Sequence, residues 1–181
     1  MRTLLLVTGA PSSGKTTLAV PLARHLGLPL ITKDTIKEAL FDTLGTGDHT
    51  WSTRLGAASF QVMFALARHS PAAVLEANFY PGHTPQLQAI CQQPVQIRCH
   101  CTTAEARRRH LARAPRRHPG HLDHLLVNQD KATLSWQPLG LGEPLLRVDT
   151  SGPVDIPALA TWVRTRPGWH DQDAAPEGER R

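Results

Sequence analysis

The stretch LLLVTGAPSSGKTTLAVPLARHLG, residues 4–27, divides into three parts. Leu4–Val7 is apolar, Gly9–Gly14 is built of small residues, and from Lys15 onward the apolar residues recur at helical spacing. Gly9-Ala10-Pro11-Ser12-Ser13-Gly14-Lys15-Thr16 fits the pattern G-x-x-x-x-G-K-[ST], with a strand predicted before it and a helix after it. Gly9 and Gly14 permit backbone angles that turn successive N–H groups inward, which makes a concave cradle for an anion. The dipole and free amides at the start of the following helix add positive potential at the same place. Lys15 supplies a point charge for β- and γ-phosphates, and the Thr16 hydroxyl is placed to coordinate Mg²⁺. The cradle residues are thus Gly9 to Thr16, with Thr17 beside them, and the implied ligands are ATP and Mg²⁺.

The rest of the composition bounds the answer. The chain has 181 residues, 40% of them hydrophobic and 19% charged, as expected of a single globular domain with a sizeable core. No apolar run approaches the roughly 20 residues needed to cross a bilayer, so no membrane partner is expected. The N-terminus lacks the basic flank and cleavage site of a signal peptide, and a cytoplasmic protein is expected. The net charge of +5 rests mainly on arginine, which suits bidentate capture of phosphate but does not separate nucleotides from nucleic acid. The three cysteines do not suggest a disulfide framework. Cys99-His100-Cys101 places two thiols on one face of a predicted strand without a second ligand pair, and buried structural cysteines are expected there.

Strand and helix patterns alternate along the chain. Strands are predicted at Thr3–Val7, Leu30–Thr32, Ala73–Ala77, Val95–Cys101 and Leu145–Val148. Helices are predicted at Lys15–Leu26, Thr35–Leu44, Ser52–His69, Pro85–Gln92, Thr103–Arg113, Asp123–Ala132 and Ile156–Arg164. In Ser52–His69, Leu55, Ala58, Phe60, Val62, Met63 and Leu66 mark the helical period. This alternation, with the phosphate loop, predicts an α/β fold of the P-loop NTPase type: a parallel sheet with helices on both faces. Residues 1–165 are expected to form the domain, and a family resemblance carried by the Arg-rich helix implies a small Arg-rich helical lid at about 103–125. Residues 166–181, RPGWHDQDAAPEGERR, read as a flexible tail.

Two carboxylates fall at strand ends. Asp34 follows the second strand, at the sheet edge where open α/β folds bind ligands. Helix capping is its alternative role. Thr35-Ile36-Lys37-Glu38 reads as a T-x-x-E capping box, which would leave the Asp34 carboxylate free. Glu76 ends the third strand, either as a functional acid or as a carboxylate satisfied by a neighbouring lysine.

The chain resembles the small P-loop kinases that include chloramphenicol phosphotransferase, zeta toxins and the kinase domain of polynucleotide kinase, often described as AAA-family ATP-binding proteins. The resemblance covers roughly the first 165 residues and rests on GAPSSGKTT, TKD-TIKE, AAVLEANFY and the Arg-rich helix. It implies that Asp34 faces the acceptor hydroxyl as base or orienting group. It sets Lys37 where polynucleotide kinases place an arginine against an acceptor phosphate; lysine keeps the charge but loses the bidentate fork. Glu76 resembles the acidic position that holds Mg²⁺. Asn78 and Phe79, with Tyr80, continue into the crevice as acceptor contacts or form a packed aromatic corner.

Arg109 and Arg113 stand four apart on one helical face. They resemble the R-x-x-x-R lid of these kinases, where arginines reach the transferring phosphoryl group; a solvated basic helix is the alternative. Arg116 and Arg117 follow, then His118-Pro119-Gly120-His121, a turn suited to hinge the lid. The loop Asp149-Thr150-Ser151-Gly152-Pro153 borders the adenine in the resembled kinases. It also fits D-x-x-G, but lies too late for a GTPase switch, and Asn128-Gln129-Asp130 is no guanine reader.

The implied function is transfer of the γ-phosphate of ATP to a hydroxyl of a small molecule or nucleoside. The alternatives are a polynucleotide 5′-hydroxyl kinase, which an aromatic content of 5% disfavours, and a non-catalytic ATP-dependent switch.

Overall fold

The computed structural model describes residues 2–121 and 138–169. Within them, β1 (Thr3–Gly9), β2 (Leu30–Thr32), β3 (Ala72–Glu76), β4 (Val95–His100) and β5 (Leu145–Asp149) form one sheet in the order β2-β3-β1-β4-β5. Every neighbouring pair is parallel. The helices are α1 (Lys15–Leu26), α2 (Lys33–Leu44), α3 (His49–His69), α4 (Thr84–Ile90), α5 (Thr103–Arg113) and α6 (Ile156–Arg164). The predicted α/β architecture is the one observed.

The alternation of β1 explains how both sheet faces are covered. Leu5 and Val7 join Leu18, Leu22 and Ala23 of α1 and Leu159 and Val163 of α6 in one core. Leu4 and Leu6 point the opposite way, into a second core with Phe60, Met63 and Phe64 of α3 and Leu87 of α4. All seven β1 residues are buried, so its run is apolar without alternating polarity.

Several boundaries shift for local reasons. Helix α2 starts at Lys33, two residues early, because the Thr32 hydroxyl accepts from the Thr35 amide at 3.2 Å and caps the helix. The Thr35–Glu38 capping box therefore does not form, and Asp34 lies inside the first turn. Helix α3 starts at His49 because Asp48 accepts from the Trp51 amide at 2.8 Å. Its buried stripe runs through Leu55, Phe60, Met63, Phe64 and Ala67, whereas Val62 and Leu66 are exposed.

Residues 166–169 fold back on the sheet's cover. Trp169 donates its amide to the Arg166 carbonyl and packs on the α1–α6 core, so residues 166–169 belong to the domain. The predicted helix Asp123–Ala132 and the far end of the lid lie outside the described residues. No helix among the described residues is long and apolar enough to cross a membrane.

Candidate active site

The parallel register brings the strand ends together. Val7 lies opposite Glu76, and Thr32 lies opposite Glu76 from the other side, so the phosphate loop, Asp34 and Glu76 share one sheet edge. They open into a crevice of about 840 Å³, with the arginines after β4 on its far wall.

The loop has the backbone its glycines foretell. Gly9 and Gly14 have φ of 146° and 80°, and Ser12 adds a third positive φ of 61°. A Cβ on Gly9 would meet the Cys99 carbonyl and, at 2.7 Å, the Ser13 hydroxyl. The buried hydroxyls of Ser12 and Ser13 have no hydrogen-bond partner. Buried polar groups are costly to leave unpaired, and here two of them lie in the cradle where a phosphate would supply acceptors.

Lys15 donates to the Ala10 carbonyl at 2.8 Å and borders the crevice. Burial lowers its pKa, while the charges of Glu76 and Asp34 pull it back up. Thr16 donates to Glu76 at 3.2 Å. Burial raises the Glu76 pKa, opposed by Lys15. The acid is thus paired with the hydroxyl that the phosphate-loop pattern assigns to a metal, with the charges of Lys15 and Lys33 nearby. Among the described residues no group of three or more His, Cys, Asp or Glu is arranged to hold a metal by itself. Cys99 is buried and its thiol is pushed up to about 12 by that burial, as a structural cysteine should be.

Asp34 faces this cluster from α2. Its Oδ1 accepts from Lys33 at 3.0 Å and its Oδ2 from Arg117 at 3.1 Å. Burial alone would raise its pKa; Lys33 and Arg117 overcome that and hold the carboxyl well below the usual carboxylate range. The side chain remains 44% exposed to the crevice. Each oxygen keeps lone pairs for a further donor.

The basic segment divides its work. Arg109 donates to Glu105 at 2.6 Å and reaches Thr150 with both terminal nitrogens. The Thr150 hydroxyl lies 2.7 Å from the Ser13 carbonyl and 3.0 Å from that of His100, so the loop after β5 is tied to the phosphate loop. Arg109 therefore lies over Gly14, at the Thr150 side of the crevice. Arg113 lines the crevice close enough to Lys15 to lower its pKa.

Three expected contacts are placed elsewhere. Lys37 is buried, donating to Ser52 of α3 at 2.8 Å with its ammonium 5.1 Å from the Phe41 ring centre. Phe79 is 2% exposed in the α3–α4 core, within 6.0 Å of the His83 ring. Asn78 is exposed and outside the crevice lining. Tyr80 stacks near His83 at 3.7 Å, so the packed aromatic corner is the arrangement that forms.

The turn after the lid helix is docked against α2 and α3. His118 stacks on Phe41 at 5.3 Å and pairs with Asp42 at 3.1 Å. The Gly120 carbonyl accepts from Ser52, and any Cβ on Gly120 would strike the Phe41 ring at 2.5 Å. His121 contacts Glu38 at 2.8 Å and Arg117 at 3.0 Å. Arg117 and Lys33 are site residues that sequence reasoning left without a role, and His121 was expected only as part of a turn suited to hinge the lid. Arg117 and His121 lie over eighty residues from their partners on α2.

The comparisons bear on this geometry. A family model described as an AAA domain matches residues 4–135. A candidate kinase from Chloroflexus aurantiacus j-10-fl is 36% identical, with a TM-score of 0.80 over 90% of this chain and 97% of that one. Chaetomium thermophilum Kti12 in complex with ADP-AlF3 is 19% identical, with a TM-score of 0.59 over 88% of this chain and 94% of its own. Mycobacterium tuberculosis APS kinase CysC, in complex with AMPPNP and APS, is 17% identical, with a TM-score of 0.59 over 90% and 94%. A search of curated proteins finds no match. The chain belongs to the AAA domain family and has the fold of a small P-loop kinase.

Proposed function

We propose that the protein transfers the γ-phosphate of ATP to a hydroxyl of a small molecule or nucleoside. The observation that carries this reading is the meeting of three groups at one sheet edge. Lys15 heads the cradle, the Thr16–Glu76 pair stands beside it at 3.2 Å, and the ionised Asp34 faces both across an open crevice. Neither a bare nucleotide-binding site nor a structural cluster needs a half-exposed carboxylate held ionised opposite the phosphate cradle.

Each group has a defined part. Gly9 to Thr17 wrap the phosphates, with the unpaired Ser12 and Ser13 hydroxyls available to them. Thr16 and Glu76 would hold Mg²⁺, which keeps most of its waters and asks few ligands of the protein; when bound it would neutralise charge on the phosphates. Lys15 and Arg113 stabilise charge on the moving phosphoryl group. Arg109, tied to Thr150, closes the nucleotide's other end. Asp34 accepts the acceptor's hydroxyl hydrogen and aligns its oxygen. Because Lys33 and Arg117 keep it ionised, its main role is orientation, which suits a reaction needing little push from a base.

Lys37 of α2, buried against Ser52 of α3, is turned away from an acceptor phosphate, which weighs against a polynucleotide end. The test is γ-labelled ATP with a panel of polyols, nucleosides and hydroxylated antibiotics, comparing wild type with Asp34→Asn. Transfer falls by about two to four orders of magnitude in the variant while ATP affinity is nearly kept. Equal transfer by both proteins makes Asp34 structural. Absence of any acceptor, with a protein partner that responds to bound ATP, makes the protein a switch.

A further inference from the structure

His121 connects two elements that the proposed chemistry needs in register. It is buried, with its side chain 4% exposed, and each ring nitrogen has a partner. Arginine has donors only, so the Nη2 of Arg117, 3.0 Å away, must donate to Nδ1 of His121. Nδ1 then carries no proton, and Nε2 carries one and donates to the Glu38 carboxylate at 2.8 Å. The same Nη2 of Arg117 donates to Asp34 at 3.1 Å. A path therefore runs from Glu38 through His121 and Arg117 to Asp34, beginning and ending on the same face of α2, where residues four apart are neighbours.

The base of this path is rigid. The turn that carries His121 is fixed by the Ser52 bond to Gly120, by the Phe41–His118 stack and by the bond from the Gly120 amide to Nδ1 of His118 at 3.1 Å. Phe41 also meets the His121 ring edge-on at 5.9 Å. A guanidinium on a long, rotatable stem would otherwise choose among several rotamers. Fixing one carboxylate to within a fraction of an ångström is what alignment with a phosphate requires.

We propose that His121 is a positioning residue: as the neutral Nε2–H tautomer it holds the Arg117 guanidinium against Asp34 and so sets the direction in which that carboxylate meets the acceptor hydroxyl. This rests on the phosphotransfer reading above. The charged groups that face His121 are Arg117, Asp34, Lys33, Lys37 and Glu38, and their balance with burial keeps the ring neutral, with its pKa lowered to about 3. Asp34 in turn faces Lys33, Arg117 and His121, with Lys15 and Glu76 across the crevice.

Two variants separate the ring's two bonds. His121→Asn sets an amide oxygen near the place of Nδ1 and keeps an acceptor for Arg117. His121→Gln sets an amide nitrogen near the place of Nε2, keeping a donor to Glu38 but losing the acceptor for Arg117. The readouts on the full chain are the ¹³C carboxyl titration of Asp34, the ¹⁵N pattern of the His121 ring, and label transfer from γ-labelled ATP to water and to the hydroxyl panel. In His121→Gln the Asp34 titration rises by about one pH unit. Its kcat falls at least ~10-fold, with KM for ATP within about 2-fold. His121→Asn stays near wild type in the Asp34 titration, in kcat and in KM for ATP.

An unchanged Asp34 titration in His121→Gln overturns the proposal, as does equal loss in both variants at wild-type melting temperature. Should neither variant fold, the wild-type ring decides: an unprotonated Nδ1 and protonated Nε2 support the path, and a protonated Nδ1 overturns it. If wild type transfers no label to water or to any panel member, the phosphotransfer reading fails, while the carboxyl titration still decides whether His121 governs Asp34.

Discussion

Lys15 and Glu76 sit in one crevice with their charged forms opposed by burial and supported by each other. A polyanionic phosphate shifts that balance toward charged Lys15. Lys15→Ala therefore weakens Mg²⁺-ATP binding by roughly 10–100-fold, the worth of a charge-assisted hydrogen bond in a part-buried site. Calorimetry with Mg²⁺-ATP reads this, and unchanged affinity in both Lys15→Ala and Thr16→Ala contradicts the cradle assignment. A second prediction at this scale concerns His83 and His121, whose pKa values are lowered to about 4 and about 3, in both cases chiefly by burial. His83 lies in a cage of Phe60, Phe64, Phe79 and Tyr80. Below about pH 6.5 the unfolded chain binds protons at both sites and the native state does not. Stability present above that pH is therefore lost as pH falls toward 4, by about 1.4 kcal/mol per pH unit for each histidine. Denaturant unfolding at pH 7 and pH 5 reads the slope, and His121→Asn roughly halves it if the two sites act independently. The phosphate loop was legible because its chemistry is contiguous, and Asp34 and Glu76 because each ends a strand. Lys37 was not: three residues beyond Asp34 is about 60° round the helix, and the face it occupies turns toward Ser52 of α3.

Helix α5 buries none of its residues, so its position is set by side-chain bonds and not by a core. Arg109 is fixed to Thr150 and Glu105, whereas Arg113 lines the crevice beside Lys15. Arg113→Ala consequently depresses kcat by about 10²–10³-fold with little change in KM for ATP, as for a lost donor to developing charge. Arg109→Ala chiefly raises KM for ATP, because it frees the loop after β5 from the lid helix. Steady-state kinetics on the two variants distinguish the roles, and identical kinetic signatures return the helix to a solvated basic surface. The basic helix itself was readable over Thr103–Arg113, and the structure adds the Thr102 cap that starts it. Its docking was not. The Phe41–His118 stack and the Asp34–Arg117 bridge join residues with no shared periodicity, and polar partners far apart in sequence leave no local pattern. The same reason explains α3, where several apolar residues sit on more than one face and only the packing against the sheet and α4 selects Met63 and Phe64 over Val62 and Leu66.

At the scale of the molecule, the order β2-β3-β1-β4-β5 puts the phosphate loop on the central strand, with Glu76 on one neighbour and Cys99 of β4 on the other. A wide parallel sheet with two buried faces needs cover to its edges, and this is where the chain's end contributes. The alternating pattern predicted the covering helices but not the packing of Arg166–Trp169, because RPGW has no period and reads as polar punctuation. The structure instead closes Arg166–Trp169 into a turn and lays Trp169 against the α1–α6 core, with Arg166 5.0 Å over the Trp162 ring. A half-buried indole contributes about 1–3 kcal/mol by area. A chain ending at Trp169 keeps all of these contacts and sets the reference melting temperature. Truncation after Thr165 lowers it by roughly 3–8 °C, the shift such a loss produces in a domain of this size. ATP affinity stays near wild type in both, because the phosphate loop and Glu76 do not touch this segment. Differential scanning calorimetry of the two truncations is the measurement. Equal melting temperatures would show that the indole adds nothing to the sheet's cover and that the domain does end at residue 165.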